Sequence, residues 1–153
     1  ETVAATDAGV CLMHMQGEPR TMQLEPRYRD VVAEVRAFLA ERVAAAEARG
    51  IARERIVIDP GFGFGKTMEH NFELLRHLDQ FVEMGLPVLA GWSRKSTLGT
   101  LTGRGPAERL AASIAAALLA AQHGATILRV HDVAATRDAI AVLTATDGGH
   151  EKQ

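Results

Sequence analysis

Four charged side chains stand at the ends of short apolar runs, where a parallel α/β fold gathers its binding groups. Asp59 closes Ile56-Val57-Ile58, Lys95 follows the run Pro87 to Ala90, and Arg129 and His131 lie at the end of Ala125 to Val130. If that last run is a strand, residues 129 and 131 point the same way. Arg and His on one face suit a phosphate or diphosphate, and the planar guanidinium can also stack on a ring. Three of the four have a plainer alternative. Arg129 can pair with Asp132 or Asp59, Asp59 can cap the next turn, and Lys95 can be a solvated lysine.

The loop after Asp59, Pro60-Gly61-Phe62-Gly63-Phe64-Gly65-Lys66, invites comparison with a phosphate-binding Walker loop. That loop needs four residues between its first glycine and Gly-Lys-Ser/Thr. Gly61 and Gly65 enclose only three, and Pro60 stands where the glycine belongs, so the match fails. The glycines instead allow close approach to a flat ligand, with Phe62 and Phe64 as apolar faces against it. That suits an aromatic heterocycle rather than a triphosphate. In the second loop, Gly91 to Ser96, Gly91 permits close approach, Ser93 and Ser96 can cap a helix start, and the N–H groups form an anion site. Trp92 reads as a packing anchor. Met13 reads either as core filling or as an adaptable wall for a flat ligand. His14, on the opposite face, reads as a satisfied core histidine.

The elements that must position these groups alternate strand and helix. Val10 to Met15 is the first expected strand, preceded by the tail of a helix over Glu1 to Ala8. Tyr28 to Arg49 is the clearest helix, its stripe formed by Val31, Val35, Phe38, Leu39, Arg42, Val43 and Ala46 and its end marked by Gly50. Ile56 to Asp59 is a strand apolar on both faces, hence buried and parallel. A helix from Met68 to Leu78 follows, with Phe72, Leu75 and Leu78 inward. Pro106 opens a helix that Gly124 ends. Its stretch Leu110 to Ala121 has almost no polar face, so it needs cover on both sides, and a second subunit is a natural cover. Ala134 to Thr144 is the last helix, presenting Ala139, Ile140 and Leu143, and the tail from Asp147 is expected to fray.

At 153 residues and 47% hydrophobic content, one domain with a real core is the expectation. A formal charge of −2 gives no electrostatic footprint for nucleic acid or an anionic membrane. The longest apolar run, Ile114 to Ala121, is too short to span a bilayer. Cys11 is the single cysteine, which allows no internal disulfide, suggests a reducing cytoplasm, and reads as a small buried side chain. A start at Glu1 rather than Met reads as a fragment. Four strand-helix units make about half of a (β/α)₈ barrel, which takes roughly 250 residues.

Four motifs, VCLMHMQGEPRTMQ from Val10, IDPGFGFGK from Ile58, GWSRK from Gly91 and RVHDV from Arg129, together resemble the C-terminal half of bacterial dihydropteroate synthases. The resemblance covers essentially all of residues 1–153, in family order and spacing. It implies an α/β fold of the (β/α)₈ TIM-barrel type, with this chain supplying strands 5–8 of a pterin-binding domain. It implies a transferase of folate biosynthesis that joins 6-hydroxymethyl-7,8-dihydropterin diphosphate to p-aminobenzoate, with sulfonamides as competitors. Under the resemblance Asp59 and Lys95 hold the pterin, while Phe64 and Gly91 line the site, and Met13 joins them as a substrate-binding candidate on the residue reading given above. Ser93 and Lys95 meet the p-aminobenzoate side, and Arg129 and His131 serve the pterin and diphosphate. Lys95, Arg129 and His131 are then the catalytic candidates. An aspartate and two asparagines, one of them near the diphosphate and magnesium, belong to the half absent from this sequence, as do two mobile loops. The C-terminal helices imply a homodimer. Two alternatives stay open: a pterin-binding methyltransferase domain, against which GWSRK argues, and a non-catalytic half-barrel binding module.

Overall fold

The structure, a computed structural model, describes residues 2–146. In chain order the elements are β1 (Val10–Met13), α1 (Val31–Glu47), β2 (Ile56–Asp59), α2 (Met68–Arg76), α3 (Asp79–Val82), β3 (Leu89–Ala90), α4 (Ser96–Thr102), α5 (Leu110–Gln122), β4 (Ile127–Leu128) and α6 (Val133–Thr146). Single 3₁₀ turns at Arg53–Arg55 and Pro106–Glu108 lead into β2 and α5. The fold is α/β, as expected.

The strands run parallel in chain order. β1 pairs with β2 from Val10↔Ile56 to Met13↔Asp59, and β3 pairs with β4 at Leu89↔Ile127 and Ala90↔Leu128. A parallel bridge, Ile58↔Val88, with Ile58 N–H donating to Pro87 O at 3.0 Å, joins the two pairs. One face carries Ile56, Ile58, Val88 and Ala90, all buried against Val35, Leu39 and Val43 of α1 and against Leu74, Leu75 and Leu78. Leu39 is fully buried, so Leu39→Ala costs about 2–5 kcal/mol.

The opposite face is open. In-register neighbours share a face, which gathers Cys11, Met13, Val57, Asp59, Leu89 and Ile127 together. Ile127 is 38% exposed and Met13 36%. This overturns the reading of Cys11 as buried: it is exposed, because it lies on the face that no helix of the described residues covers.

Several boundaries differ from the sequence reading for local reasons. Residues 2–7 form turns rather than a helix, tethered by the Arg55 guanidinium, which donates to the carbonyls of Val3, Thr6 and Ala8. Helix α1 starts at Val31 rather than Tyr28, because the Asp30 carboxylate caps it by accepting from Ala33 N–H at 2.9 Å. Arg42 leaves the buried stripe and lies over the Phe38 ring at 5.5 Å. The expected Met68 to Leu78 helix closes at Arg76, and its buried side carries Asn71, Leu74 and Leu75, with Phe72 only half-buried. Ser93 caps no helix. Lys95 is the residue before α4, without a side-chain cap. The fraying expected from Asp147 lies outside the described residues.

Candidate active site

The mouth of the sheet is built by three loops that leave the C-terminal ends of β2, β3 and β4. Asp59 ends β2 and is 4% exposed. Its Oδ1 accepts the Gly61 N–H at 2.7 Å, so the turn-capping reading is correct as far as it goes. Oδ2 and a second Oδ1 lone pair are left for a ligand. Burial is the main influence on this carboxyl and raises its pKa, against the pull of the Gly61 N–H, Arg129, Lys95 and Lys66.

Lys95 comes to the same mouth. Its Nζ stands 4.1 Å above the centre of the Phe64 ring, and the site for a Cβ on Gly63 lies 3.3 Å from its Cδ. Burial lowers its pKa, with Arg129 adding to the effect and Asp59 opposing it. Phe64 is half-buried and presents a face, whereas Phe62 does not. Phe62 is buried against Trp92, ring centres 4.8 Å apart, and so leaves the expected ligand wall for the core. Trp92, also 5.5 Å from Phe72, is the packing anchor the sequence suggested.

Arg129 lies across Gly91, where a Cβ would come within 2.7 Å of Nη2. Gly91 therefore serves close approach, but of the guanidinium itself. The ion pair foreseen for Arg129 is made by its neighbour in the second loop: Arg94 holds Asp132 with two bonds, at 2.8 and 3.3 Å. Ser93 is buried, and its Oγ meets His131 Nδ1 at 2.9 Å and accepts the His131 N–H at 3.2 Å. Met13 lies beside Asp59 in register, its Cγ 3.4 Å from the Cβ site of Gly61.

The glycines after Asp59 answer to the neighbouring chain more than to a ligand. Gly61, at φ 73°, would place a Cβ 1.8 Å from His14 O, and Gly65, at φ 64°, would place one 2.4 Å from Gln16 O. Only glycine fits both the left-handed backbone and the contact. Sequence reasoning missed two buried polar residues here. Asn71 accepts the Gly63 N–H at 2.7 Å and donates to Thr97 Oγ1 of α4 at 3.2 Å, which ties the first loop to the second. Its signal was a polar residue inside an apolar helical stripe. Lys66 donates to Gly61 O and Phe64 O, and meets His14 Nδ1 at 2.9 Å. His14 is the satisfied core histidine expected, its pKa held down at about 4 by burial and by Lys66.

A carboxylate, an amine over an aromatic face and a guanidinium thus converge on the open mouth of a parallel sheet, and the His131 imidazole is held beside them in sequence by Ser93 of the second loop. The profile of the pterin binding enzyme family matches residues 1–131. The chain belongs to that family. Within the family, the dihydropteroate synthase of Escherichia coli K12 is 50% identical over 153 residues, covering 100% of this chain and 54% of that protein. A Yersinia pestis dihydropteroate synthase structure, a complex with a sulfonamide drug, is 44% identical with a TM-score of 0.93, covering 95% of this chain and 53% of that one. The Xanthomonas albilineans synthase in complex with 7,8-dihydropteroate is 54% identical with a TM-score of 0.88, covering 95% and 54%. The same synthase with 4-aminobenzoic acid is 55% identical at 0.88, covering 95% and 51%. This pterin binding enzyme chain spans about half the length of the relatives it matches. Among the described residues no group of three or more His, Cys, Asp or Glu can hold a metal ion. No described helix is long and apolar enough to cross a membrane.

Proposed function

We propose that this chain carries the pterin and diphosphate side of a dihydropteroate synthase site, and that it supplies strands 5–8, the C-terminal half, of a (β/α)₈ barrel. The observation that carries the reading is the convergence of Asp59, Lys95 over Phe64, and Arg129 over Gly91 at one strand mouth. An ionised Asp59 accepts two N–H bonds from the aminopyrimidinone edge of a pterin, a charge-assisted fit. Lys95, its Nζ seated on the Phe64 ring, offers N–H donors to the acceptor atoms of the pterin. The aniline nitrogen of p-aminobenzoate attacks the exocyclic methylene, a C–N bond forms and the C–O bond to diphosphate breaks. The electron pair leaves with diphosphate, and the aniline nitrogen gives up a proton. Arg129 and His131 stabilise the charge that grows on the leaving group.

The strand order and the open inner face support the half-barrel reading. Val57 and Leu89 are half-buried and Ile127 is exposed, as interior residues of a barrel are before the other strands close it. The magnesium, the second carboxylate for the pterin and the loops over p-aminobenzoate then belong to the remaining strands. Leu110, Leu119 and Val142, exposed on α5 and α6, suit the homodimer contact of the C-terminal helices. A cytoplasmic enzyme is in keeping with the lone cysteine.

Formation of dihydropteroate from 6-hydroxymethyl-7,8-dihydropterin diphosphate and p-aminobenzoate, inhibited competitively by a sulfonamide, is the expected result for the complete enzyme carrying this chain. Pterin binding without product would favour a non-catalytic binding module instead. No pterin binding would overturn the reading.

A further inference from the structure

Lys66 is the buried cation that the proposed reaction leaves without a role, although it is 3% exposed and within electrostatic reach of Asp59. Its Nζ has three partners: His14 Nδ1 at 2.9 Å, Gly61 O at 3.0 Å and Phe64 O at 3.1 Å. As an ammonium it matches its three N–H donors one to one with two carbonyls and an imidazole lone pair. As a neutral amine it keeps two donors for the carbonyls and turns its own lone pair to a proton on His14 Nδ1. The histidine needs only to change tautomer, so all three contacts survive in either protonation state.

Those contacts join two segments. Gly61 and Phe64 belong to the loop after β2, and His14 belongs to the end of β1. The same two segments touch at the Gly61 and Gly65 backbones, which press against the carbonyls of His14 and Gln16. Phe64 lies between those two contact points, and Asp59 precedes them. Lys66 braces the loop internally through Gly61 O and Phe64 O, and its contact with His14 Nδ1 is the bond that must break for the ammonium to leave the end of β1.

We infer that Lys66 is a positioning residue: it clasps the loop of residues 61–65 to the end of β1 and so holds Asp59 and Phe64 in place for a flat ligand. The inference rests on the reading of Asp59 and Phe64 as pterin-holding groups. The titratable groups that face the clasp are Asp59 from β2, Lys95 from the loop before α4, Glu34 of α1, which acts on His14, and Tyr28, whose ring lies 6.1 Å from that of His14 and whose hydroxyl donates to Gly65 O at 2.8 Å. The His14 ring is itself wedged edge-on to Phe38, 4.9 Å between centres.

The test compares Lys66→Met, His14→Leu and His14→Asn in the complete enzyme carrying this chain. Amide hydrogen exchange over residues 61–65 reads the clasp without any ligand, and calorimetry with dihydropterin and with p-aminobenzoate reads the site. Lys66→Met and His14→Leu should speed exchange in the loop and weaken dihydropterin binding about tenfold, the scale of one lost charged hydrogen bond, with a smaller effect on p-aminobenzoate. His14→Asn, whose amide can accept from an ammonium or donate to an amine, should restore most of both. Loop exchange in His14→Leu equal to wild type, or no difference between His14→Leu and His14→Asn, would overturn the inference. If Lys66→Met does not fold, the two His14 variants decide the matter. A wild type that fails to bind dihydropterin would contradict the pterin reading, and the exchange rates would still decide the clasp.

Discussion

The Ser93 hydroxyl lies 2.9 Å from His131 Nδ1 and accepts the His131 backbone N–H at 3.2 Å. The hydroxyl, one donor with two acceptor lone pairs, can serve either tautomer of the ring: it donates to a bare Nδ1 or accepts from a protonated one. Ser93 thus fixes the residue proposed to serve the diphosphate. Ser93 was expected on the p-aminobenzoate side. Its bonds in the structure tie it to His131.

Loss of that hydroxyl should therefore be felt at the diphosphate. Ser93→Ala should weaken diphosphate binding by about 1 kcal/mol, the worth of one net hydrogen bond. Arg129→Ala and His131→Ala should likewise weaken diphosphate more than p-aminobenzoate. Calorimetry that finds equal losses for both ligands would contradict this division of roles.

Glycine substitutions separate backbone strain from crowding. Gly50 and Gly61 have similar positive φ, 81° and 73°, but a Cβ on Gly50 meets nothing within 4 Å, whereas on Gly61 it lies 1.8 Å from His14 O. Gly50→Ala should cost about 1–2 kcal/mol, the left-handed penalty alone. Gly61→Ala should cost several kcal/mol more, since a main-chain atom must shift. Urea unfolding measures both, and equal costs would show that the contact carries no weight.

The pH dependence of stability follows from Lys66. Burial lowers its pKa to about 7, against 10.5 for a free lysine. Between those values the unfolded chain binds more protons than the folded one, so stability rises with pH. Lys95, also lowered, adds with the same sign. His14 acts likewise between about 4 and 6.5, but there the raised Asp59 opposes it, so the alkaline range is the cleaner one. Unfolding free energy should climb from pH 7 toward about pH 10, and most of the climb should vanish in Lys66→Met. A flat or falling profile in the wild type would contradict the burial of this amine.

Much of this was legible in the sequence because it depends on local pattern. Ile56-Val57-Ile58 could only be a buried strand, Asp59 its end, and α1 a helix with one apolar stripe. Lys95, Arg129 and His131 were readable because they follow such runs. What was not legible depends on partners distant in sequence. Phe62 and Phe64 are two residues apart and look alike, yet contact with Trp92 takes one into the core and leaves the other at the mouth. Gly61 and Gly65 looked like room for a ligand, and the room is filled by the carbonyls of β1's exit. Cys11 looked buried by residue type, and the face it shares with Met13 is the open one.

Assembly offers a further check. The open inner face, the outer edges of β1 and β4, unpaired among the described residues, and the exposed leucines of α5 all favour association. Light scattering at micromolar concentration should show at least a dimer. A stable monomer would contradict the proposed contact through α5 and α6.

Calorimetric titration of 6-hydroxymethyl-7,8-dihydropterin diphosphate into the wild type and Asp59→Asn bears most directly on the pterin site. The substitution keeps the size of the side chain but turns one acceptor into a donor facing the donor edge of the ligand. Affinity should fall by about 2 kcal/mol or more, the scale for a broken charged hydrogen bond. Unchanged affinity in a folded Asp59→Asn variant would contradict the assignment of this mouth as a pterin site.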